Sequence, residues 1–249
     1  MGSQAGNRSA GEDDGTGARH QAVLDTLGLE ITGGALPAGH VLTLEGIQER
    51  FRVSRTVARE AMRLLESLGL VASRRRVGIT VLAPASWNVF DPRVIWWRLS
   101  GADRENQLRS LTELRAAVEP PAAGAAARNA SAEQRALAER LAARMRTLGE
   151  AGRLGPFLDT DIAFHTLLLR AGGNEMFSGL ADVVAVVLRA RTALGLMPPQ
   201  PRPHALDLHE AVARAVASGR AAEAEAAMRE LLAEVRNAVV PPGPPGPPV

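Results

Sequence analysis

Three side chains of metal-ligand type are spaced so that they would face the interior of helices. Asp161 and His165 are four residues apart in D-x-x-F-H, so both lie on one side of a helix. His209 shares the apolar side of another predicted helix with Leu206 and Val212. One carboxylate and two imidazoles suit a divalent metal ion such as Zn, Ni or Mn. The pattern therefore predicts a metal site inside a helical domain.

Several roles besides a regulatory metal site remain open for these three residues. Each buried polar group could be satisfied by hydrogen bonds in the core, without any ligand. A cation with an open coordination position could activate water in a metal-dependent hydrolase, although the sequence has no H-E-x-x-H motif. A metal-sensing regulator could use the same cluster. Turnover of a hydroxy acid, lost in His165→Ala, would favour the enzyme.

The elements that position this cluster are predicted to be helices throughout residues 104–239. Apolar residues recur with helical period over 108–128, 157–171, 175–194, 203–218 and 221–237. Ser131 and Gln134 form a predicted capping box before another helix, and Pro120 and Pro121 are expected to kink or restart the first helix. We predict an all-α antiparallel helical bundle.

A second candidate site lies on an amphipathic stretch at residues 53–68. Ser54 is a suitable N-cap, and Arg55, Arg59 and Arg63 fall on one stripe of the helix. The opposite side carries Val57, Ala61, Leu64, Leu65 and Leu68. A helix with guanidinium groups on its outer face is suited to the major groove of DNA, although an ordinary solvated surface helix has the same pattern.

The surroundings of this stretch favour DNA recognition. A first helix from about residue 20 is expected to end at Gly33 and Gly34, and Thr43 can cap a second helix. After Gly69, β-branched residues flank a basic segment, which predicts a hairpin with Arg74, Arg75 and Arg76 at its tip. A helix-turn-helix followed by such a wing would contact DNA twice. We therefore predict a mainly α fold with a winged helix-turn-helix domain before the bundle.

Composition restricts the class of protein. The 249 residues include no Cys, which excludes disulfides and thiolate metal sites. No signal peptide or membrane-spanning run is recognisable, so we expect a cytoplasmic protein. The domains expected are a disordered arm at 1–18, the DNA-binding domain at 19–83, a linker at 84–103, the helical domain at 104–239 and a disordered Pro/Gly tail at 240–249. Three Trp residues suggest that the linker packs between the domains.

The first half resembles the winged helix of the GntR family of transcriptional regulators. The resemblance rests on L-P-A-G, on R-F-R-V-S-R-T-V-A-R-E-A-M-R-L-L-E-S-L-G-L-V and on the glycine that follows. It implies that Arg55, Thr56 and Arg59 contact the operator together with the wing. Gly46 departs from the pattern, because several relatives carry a basic residue there. The residues expected to bind DNA are Ser54, Arg55, Thr56, Arg59, Arg63, Arg75, Arg76 and Gly78.

The second half resembles the FCD ligand-binding domain of the FadR-type branch, through E-L-R-x-x-x-E-P, D-x-x-F-H and L-H-E-A-V-x-x-A-V. This implies that Asp161, His165 and His209 are metal ligands, with Leu231 in place of a fourth His. It also places Arg115 toward the effector, and a guanidinium suits a carboxylate, although a salt bridge to Glu113 or Glu119 is an equal alternative.

The implied function is that of a ligand-responsive regulator. The segment F-D-P-x-V-x-x-W is similar to that of galactonate-repressor-type members, whose ligands are sugar acids. We expect a homodimeric repressor that binds a double-stranded DNA operator and a small carboxylate effector, with Arg115, Asp161, His165 and His209 at the effector site. A DNA-binding protein of purely architectural function is the rival, distinguished by whether any small acid changes operator binding.

Overall fold

The structure is a computed structural model that describes residues 10–75, 78–195 and 201–239. The chain divides between Arg104 and Glu105 into two compact units. The expected tail at 240–249, the first nine residues of the expected arm, and Arg76 lie outside the described residues. Within the described part of the chain, no helix has the length and apolarity required to cross a bilayer.

The first unit combines four helices with a small sheet. Its elements are α1 Ala10–Thr32, β1 Val41–Leu42, α2 Leu44–Phe51, α3 Arg55–Ser67, β2 Val71–Arg74, β3 Gly78–Val81 and α4 Pro92–Ser100. The sheet is antiparallel in the order β1-β3-β2, and β2 and β3 are the two strands of the predicted hairpin. Sequence reasoning missed β1, because two residues are too few to show strand periodicity.

Local capping sets the ends of the two central helices. Thr43 Oγ1 accepts a hydrogen bond from Gly46 N at 3.0 Å, and Ser54 Oγ accepts one from Val57 N at 3.3 Å. Between the helices, Arg52 adopts a left-handed conformation with φ 53° and closes the turn. These contacts confirm both predicted caps and the helix-turn-helix.

The predicted linker and part of the predicted arm are ordered elements of this unit. Segment 84–103 contains a 3-10 turn, Pro84–Ser86, and α4. Trp97 is buried in the core of the unit, and its Nε1 donates to Asp25 Oδ1 at 3.0 Å. Residues 10–18, which were expected in the arm, belong to α1, which begins at Ala10. A buried Trp adds apolar contact that fixes this segment in the core of the first unit.

All regular secondary structure that the structure describes in the second unit is helical. It consists of α5 Arg104–Asn129, α6 Ala132–Glu150, α7 Leu154–Ala171, α8 Glu175–Gly179, α9 Ala181–Ala193, α10 Pro203–Ala217 and α11 Ala221–Val239. The main packing partners are α10 with α11 and α6, α6 with α7, and α7 with α9. The core between them is rich in Ala, Leu and Val. This unit holds the predicted metal cluster.

Two details of this unit differ from the sequence prediction or refine it. Helix α5 continues through Pro120 and Pro121 without restarting. The helix expected at 175–194 is two helices, because α8 ends at Gly179 and α9 begins at Ala181. The capping box of Ser131 and Gln134 is present at the start of α6.

Candidate functional site

Helices α7 and α10 bring the three predicted ligand residues together. Asp161 and His165 lie on the buried side of α7 with Phe164, Leu168 and Leu169, which are also buried. The apolar neighbours explain this orientation, since the α7 face that carries them packs into the core of the unit. His209 is buried on α10 in the same way. The edge-to-face packing of Phe164 against both imidazoles fixes the rings, with centroid distances of 5.8 and 5.5 Å.

The ligand atoms of the three residues converge on one point. Asp161 Oδ1 lies 3.3 Å from His165 Nε2 and 3.2 Å from His209 Nε2. All three ligand atoms lie within 4.8 Å of one another. A tetrahedral cation with bonds of about 2.0–2.2 Å separates its ligands by about 3.3–3.6 Å. The oxygen-to-nitrogen separations are therefore close to those of a metal site.

The hydrogen bonding of these atoms also fits a cation. Asp161 Oδ1 and His209 Nε2 are buried and have no hydrogen-bond partner among the described residues, although they are near each other. Buried polar atoms are usually paired, and a bound ion is one of the few ways to satisfy them. The donor set of one carboxylate oxygen and two imidazole nitrogens matches a borderline divalent ion.

The other nitrogen of each imidazole is held by an outer partner. His209 Nδ1 donates to the backbone carbonyl of Ala205 at 2.6 Å, and His165 Nδ1 forms a short contact with Glu119 Oε2. A proton on Nδ1 leaves the Nε2 lone pair of a neutral imidazole directed at the cluster. Metal-binding His residues have this arrangement, in which a carbonyl or carboxylate orients the ring.

Glu119 connects His165 to Arg115. Arg115 Nε donates to Glu119 Oε1 at 2.5 Å, and both side chains are buried. Of the two roles left open for Arg115, the salt bridge to Glu119 is therefore present in the structure. Sequence reasoning did not identify Glu119 as the partner of His165. The i, i+4 spacing of Arg115 and Glu119 was a visible signal, but the contact with α7 depends on tertiary packing.

The charges of this network shift the pKa values of its members. Burial disfavours the ionised form of Glu119, but the positive charges of Arg115 and His165 outweigh burial and lower its pKa to about 2. Burial likewise opposes ionisation of Asp161, yet the close approach and the charge of the two imidazoles beside its Oδ1 hold its pKa below the ordinary value. For His165, burial is outweighed by Glu119 and Asp161, which raise its pKa to about 9.

A cavity of about 80 Å³ opens beside the cluster. Asp161, His165, His209 and Arg115 line it, so the structure brings all four predicted effector residues to one cavity. Its other walls are formed by Phe157, Leu188, Arg191, Pro201, Arg202, Ala205, Leu231, Leu232 and Glu234. One water needs about 10–15 Å³ by this measure, so the cavity has room for several waters or a small ligand.

Sequence reasoning missed Arg191, which is buried on α9 and lines the cavity. The signal was available, because Arg191 follows Val187 by four residues and Leu188 by three, on the apolar side of its helix. Arg189, two residues earlier, is exposed instead. An Arg in the middle of an apolar stripe was thus recognisable in the same way as Asp161 and His165.

The candidate DNA-binding surface is formed by α3 of the first unit. Arg55, Thr56, Arg59 and Arg63 are exposed, as is the cap residue Ser54. The opposite side buries Val57, Ala58, Ala61, Met62 and Leu65. Arg63 also pairs with Glu60 at 2.8 Å. The cationic stripe predicted from the sequence is therefore presented away from the core.

The hairpin supplies a second basic surface. Arg74 and Arg75 are exposed at its tip. Ser73 N donates to Glu66 Oε1 at 2.8 Å, which fastens the hairpin to α3. Gly78 opens β3 with φ 109°, and a Cβ there would lie 3.0 Å from Leu42 O, so this position requires Gly for the backbone. Gly46 offers no side chain to DNA, and its backbone N donates to the Thr43 cap.

Comparison with known proteins decides the family. The model of bacterial regulatory proteins of the gntR family matches residues 19–81, and the model of the FCD domain matches residues 110–234. The chain belongs to the GntR family and carries an FCD domain. It is therefore a ligand-responsive DNA-binding transcriptional regulator, as the sequence predicted, and the family is one of regulators rather than enzymes.

Three relatives agree with this assignment. HTH-type transcriptional regulator LutR of Bacillus subtilis (strain 168) is 30% identical over 218 residues, which cover 83% of this chain and 94% of LutR. The galactonate operon transcriptional repressor of Escherichia coli (strain K12) is 28% identical, over 70% of this chain and 76% of its own length. The HTH-type regulator YieP of the same organism is 30% identical over 54% of this chain and 59% of its length.

A solved structure has the same fold. Lar, which controls expression of the Listeria monocytogenes agr system, superimposes with a TM-score of 0.52 at 18% identity. The match covers 88% of this chain and 95% of that structure. These findings do not favour the alternative of a metal-dependent hydrolase.

Proposed function

We propose that this regulator is a homodimeric repressor that releases its operator when the FCD domain binds a small carboxylate, such as a sugar acid. The observation that carries the proposal is the convergence of Asp161, His165 and His209 beside a cavity in the FCD domain. The family assignment gives this cavity a regulatory setting. The relation to the galactonate operon repressor supports a sugar acid as the class of effector.

A divalent cation is the second part of the proposal. Asp161, His165 and His209 would hold it, and when bound it would supply positive charge and open coordination positions for an effector carboxylate. Leu231, in the place of a fourth His, is buried and lines the cavity. With three protein ligands instead of four, more coordination positions of the cation would be open to water or to the effector. Glu119 and Ala205 O orient the imidazoles.

The effector would meet the cluster from the cavity side. Arg115 lines the cavity, with its Nε already committed to Glu119. In the proposal Arg115 therefore holds Glu119 against His165, and Glu119 balances its positive charge.

The DNA-binding half of the proposal assigns α3 to the major groove. Arg55, Thr56, Arg59 and Arg63 would contact the operator, Ser54 would cap the helix at the DNA surface, and the wing with Arg75, Arg76 and Gly78 would lie on neighbouring backbone. Two copies of the domain would bind a pseudo-palindromic operator. We place the protein in the cytoplasm, where this DNA would be found.

A thermal-shift screen tests the effector half. Aldonates and other small carboxylates are added to the full chain, each with and without Zn²⁺, Ni²⁺ or Mn²⁺. A ligand that binds the folded state raises Tm, by an amount set by its concentration relative to Kd. We expect a sugar acid to raise Tm more in the presence of a divalent ion. No shift with any acid or ion would contradict the proposal.

Arg59→Ala tests the division of labour between the domains. Arg59 is exposed on α3 and lies outside the FCD domain. The variant should lose specific operator binding in a fluorescence anisotropy titration and keep the acid-induced rise in Tm. Arg128→Ala, an exposed residue at the end of α5, is the control and should keep both. Loss of both properties, or of neither, in Arg59→Ala would count against the assignment.

A further inference from the structure

Arg191 is a buried cation that has no ion-pair partner among the described residues. Its side chain lies in the wall of the FCD cavity and is only 5% exposed. Its Nε also lacks a hydrogen-bond partner within that part of the chain. A guanidinium presents five donors, and buried charges are normally paired. A guanidinium in this situation beside a cavity is therefore a site at which an anion would be stabilised.

The neighbours of Arg191 do not remove this need. Two further guanidinium groups line the cavity, and each lies beside a carboxylate: Arg115 donates from its Nε to Glu119, and Arg202 Nη1 lies 3.7 Å from Glu234 Oε1. Asp161 directs its Oδ1 at the two imidazoles. Burial and repulsion from Arg115 outweigh the attraction of Asp161 and Glu119 and lower the pKa of Arg191 to about 10, so the group is still charged at neutral pH.

A second buried atom of the opposite kind lines the same cavity. Glu234 belongs to α11, and its Oε2 is buried without a hydrogen-bond partner among the described residues. The other oxygen, Oε1, lies 3.7 Å from Arg202 Nη1. A carboxylate oxygen only accepts hydrogen bonds, so Oε2 needs a donor.

We infer that the cavity selects a small acid bearing a hydroxyl or ammonium group, with Arg191 binding its carboxylate and Glu234 accepting from the donor group. This inference rests on the proposed function and makes it more specific. It assigns the carboxylate to Arg191 rather than to Arg115, whose Nε is occupied. A simple fatty acid would satisfy Arg191 and leave Glu234 Oε2 without a donor.

The remaining walls place apolar surface between these polar groups. Phe157, Leu188, Leu231 and Leu232 contribute apolar surface to the cavity. Leu231 in particular presents hydrocarbon where a His would add another polar contact. Polar groups at separate positions with apolar surface between them are the usual composition of a selective small-molecule site.

Arg191→Met tests the carboxylate anchor. Met is similar in length and uncharged, and it removes a buried charge, so the fold should be retained. Calorimetric titration with galactonate and glycerate, at saturating Mn²⁺, should show binding weakened about 10- to 100-fold, the effect of losing a charge-assisted hydrogen bond. Arg189→Met is the matched control on the same helix, since Arg189 is exposed, and it should bind both acids like the wild type.

Glu234→Met tests the selection of a donor group. The wild type should prefer galactonate to hexanoate and glycerate to propanoate by about 10-fold or more, because only the first of each pair offers hydroxyl donors. In Glu234→Met this preference should fall toward one. Glu230→Met is the control, because Glu230 is exposed on the same helix and pairs with His204. The control should keep the wild-type preference.

The outcomes separate this inference from the proposed function. If acids bind and raise Tm but Arg191→Met binds them as tightly as Arg189→Met does, the anchor is wrong and the regulator proposal stands. Equal binding of hydroxylated and plain acids by the wild type would overturn the role of Glu234 alone. If no acid binds the wild type at all, the inference and the effector half of the proposed function both fall.

Discussion

Glu119→Gln is the substitution that most directly tests the buried network behind the metal cluster. Glu119 would touch neither the cation nor the effector, but it accepts from Arg115 Nε and holds His165 Nδ1. Gln keeps the size of the side chain and removes its charge. We expect the variant to be less stable and to bind divalent cations more weakly, because Arg115 loses its counter-ion and His165 loses the carboxylate that orients it.

The magnitude follows from the pKa of the carboxyl group. A Glu119 pKa that falls from 4.5 to about 2 in the folded state corresponds to about 3 kcal/mol of stability. This stability is present above pH 4.5 and is lost as the pH falls from 4.5 toward 2, since protonation then becomes possible in the unfolded chain first. Removing one partner of a buried ion pair typically costs about 3–5 kcal/mol, which agrees with the value derived from the Glu119 pKa. Loss of an outer-shell partner weakens metal binding by about 10- to 100-fold.

Urea unfolding at neutral pH and competition with a chromophoric chelator measure the two effects. Glu113→Gln is the matched control, because Glu113 is exposed on the same helix, and it should change neither quantity. If Glu119→Gln has wild-type stability and wild-type cation affinity, the coupling of Arg115, Glu119 and His165 described above is wrong. Reduced stability with unchanged cation affinity would refute only the orientation of His165 by Glu119.

Three further perturbations follow from the structure. Because the pKa of His165 is raised to about 9, a cation must displace a proton from its ring. Affinity for Zn²⁺ should therefore rise about tenfold per pH unit between pH 7 and 9. An affinity that does not change with pH would contradict the protonated cation-free state. The same proton stabilises the cation-free fold below pH 6.5, and that contribution is lost as pH rises through about 9. Leu231→His places an imidazole at the cavity wall and should tighten Zn²⁺ binding by at least about 10-fold in the chelator competition. An unchanged affinity for Zn²⁺ would show that this wall does not face the cation. Gly28→Ala puts a Cβ 2.5 Å from the Trp97 ring and should destabilise the DNA-binding unit by about 1–3 kcal/mol in thermal melting. Gly155→Ala is the control, because a Cβ there has nothing within 4 Å, and it should not lower the melting temperature. Equal melting temperatures for the two variants would contradict the packing of Trp97.

The regular parts of the fold were predictable because local signals agree with tertiary packing. Caps at Thr43 and Ser54 and the apolar side of α3 are encoded within a few residues, so the helix-turn-helix could be recognised. The role of segment 84–103 could not be predicted from such local signals. Burial of Trp97 depends on the space at Gly28 and on Asp25, about seventy residues earlier in the chain.

Part of the candidate site was likewise visible in the sequence. Asp161, His165 and His209 interrupt apolar helical stripes, and the structure places all three around one point. Arg191 interrupts a stripe in the same manner and could have been found by the same reasoning. The contact of Glu119 with His165 required knowledge of how α5 packs beside α7. Pairing across helices is a tertiary property that periodicity does not encode.

The response of operator binding to a small acid is the measurement that tests the central claim most directly. DNA selected by the full chain from a random pool supplies the operator, and fluorescence anisotropy measures its Kd with and without galactonate or glycerate in the presence of Mn²⁺. We predict that an acid raises the Kd for operator about 10-fold or more, and that Arg191→Met abolishes this response while binding operator normally. An operator Kd unaffected by every acid, with and without divalent ions, would contradict the account.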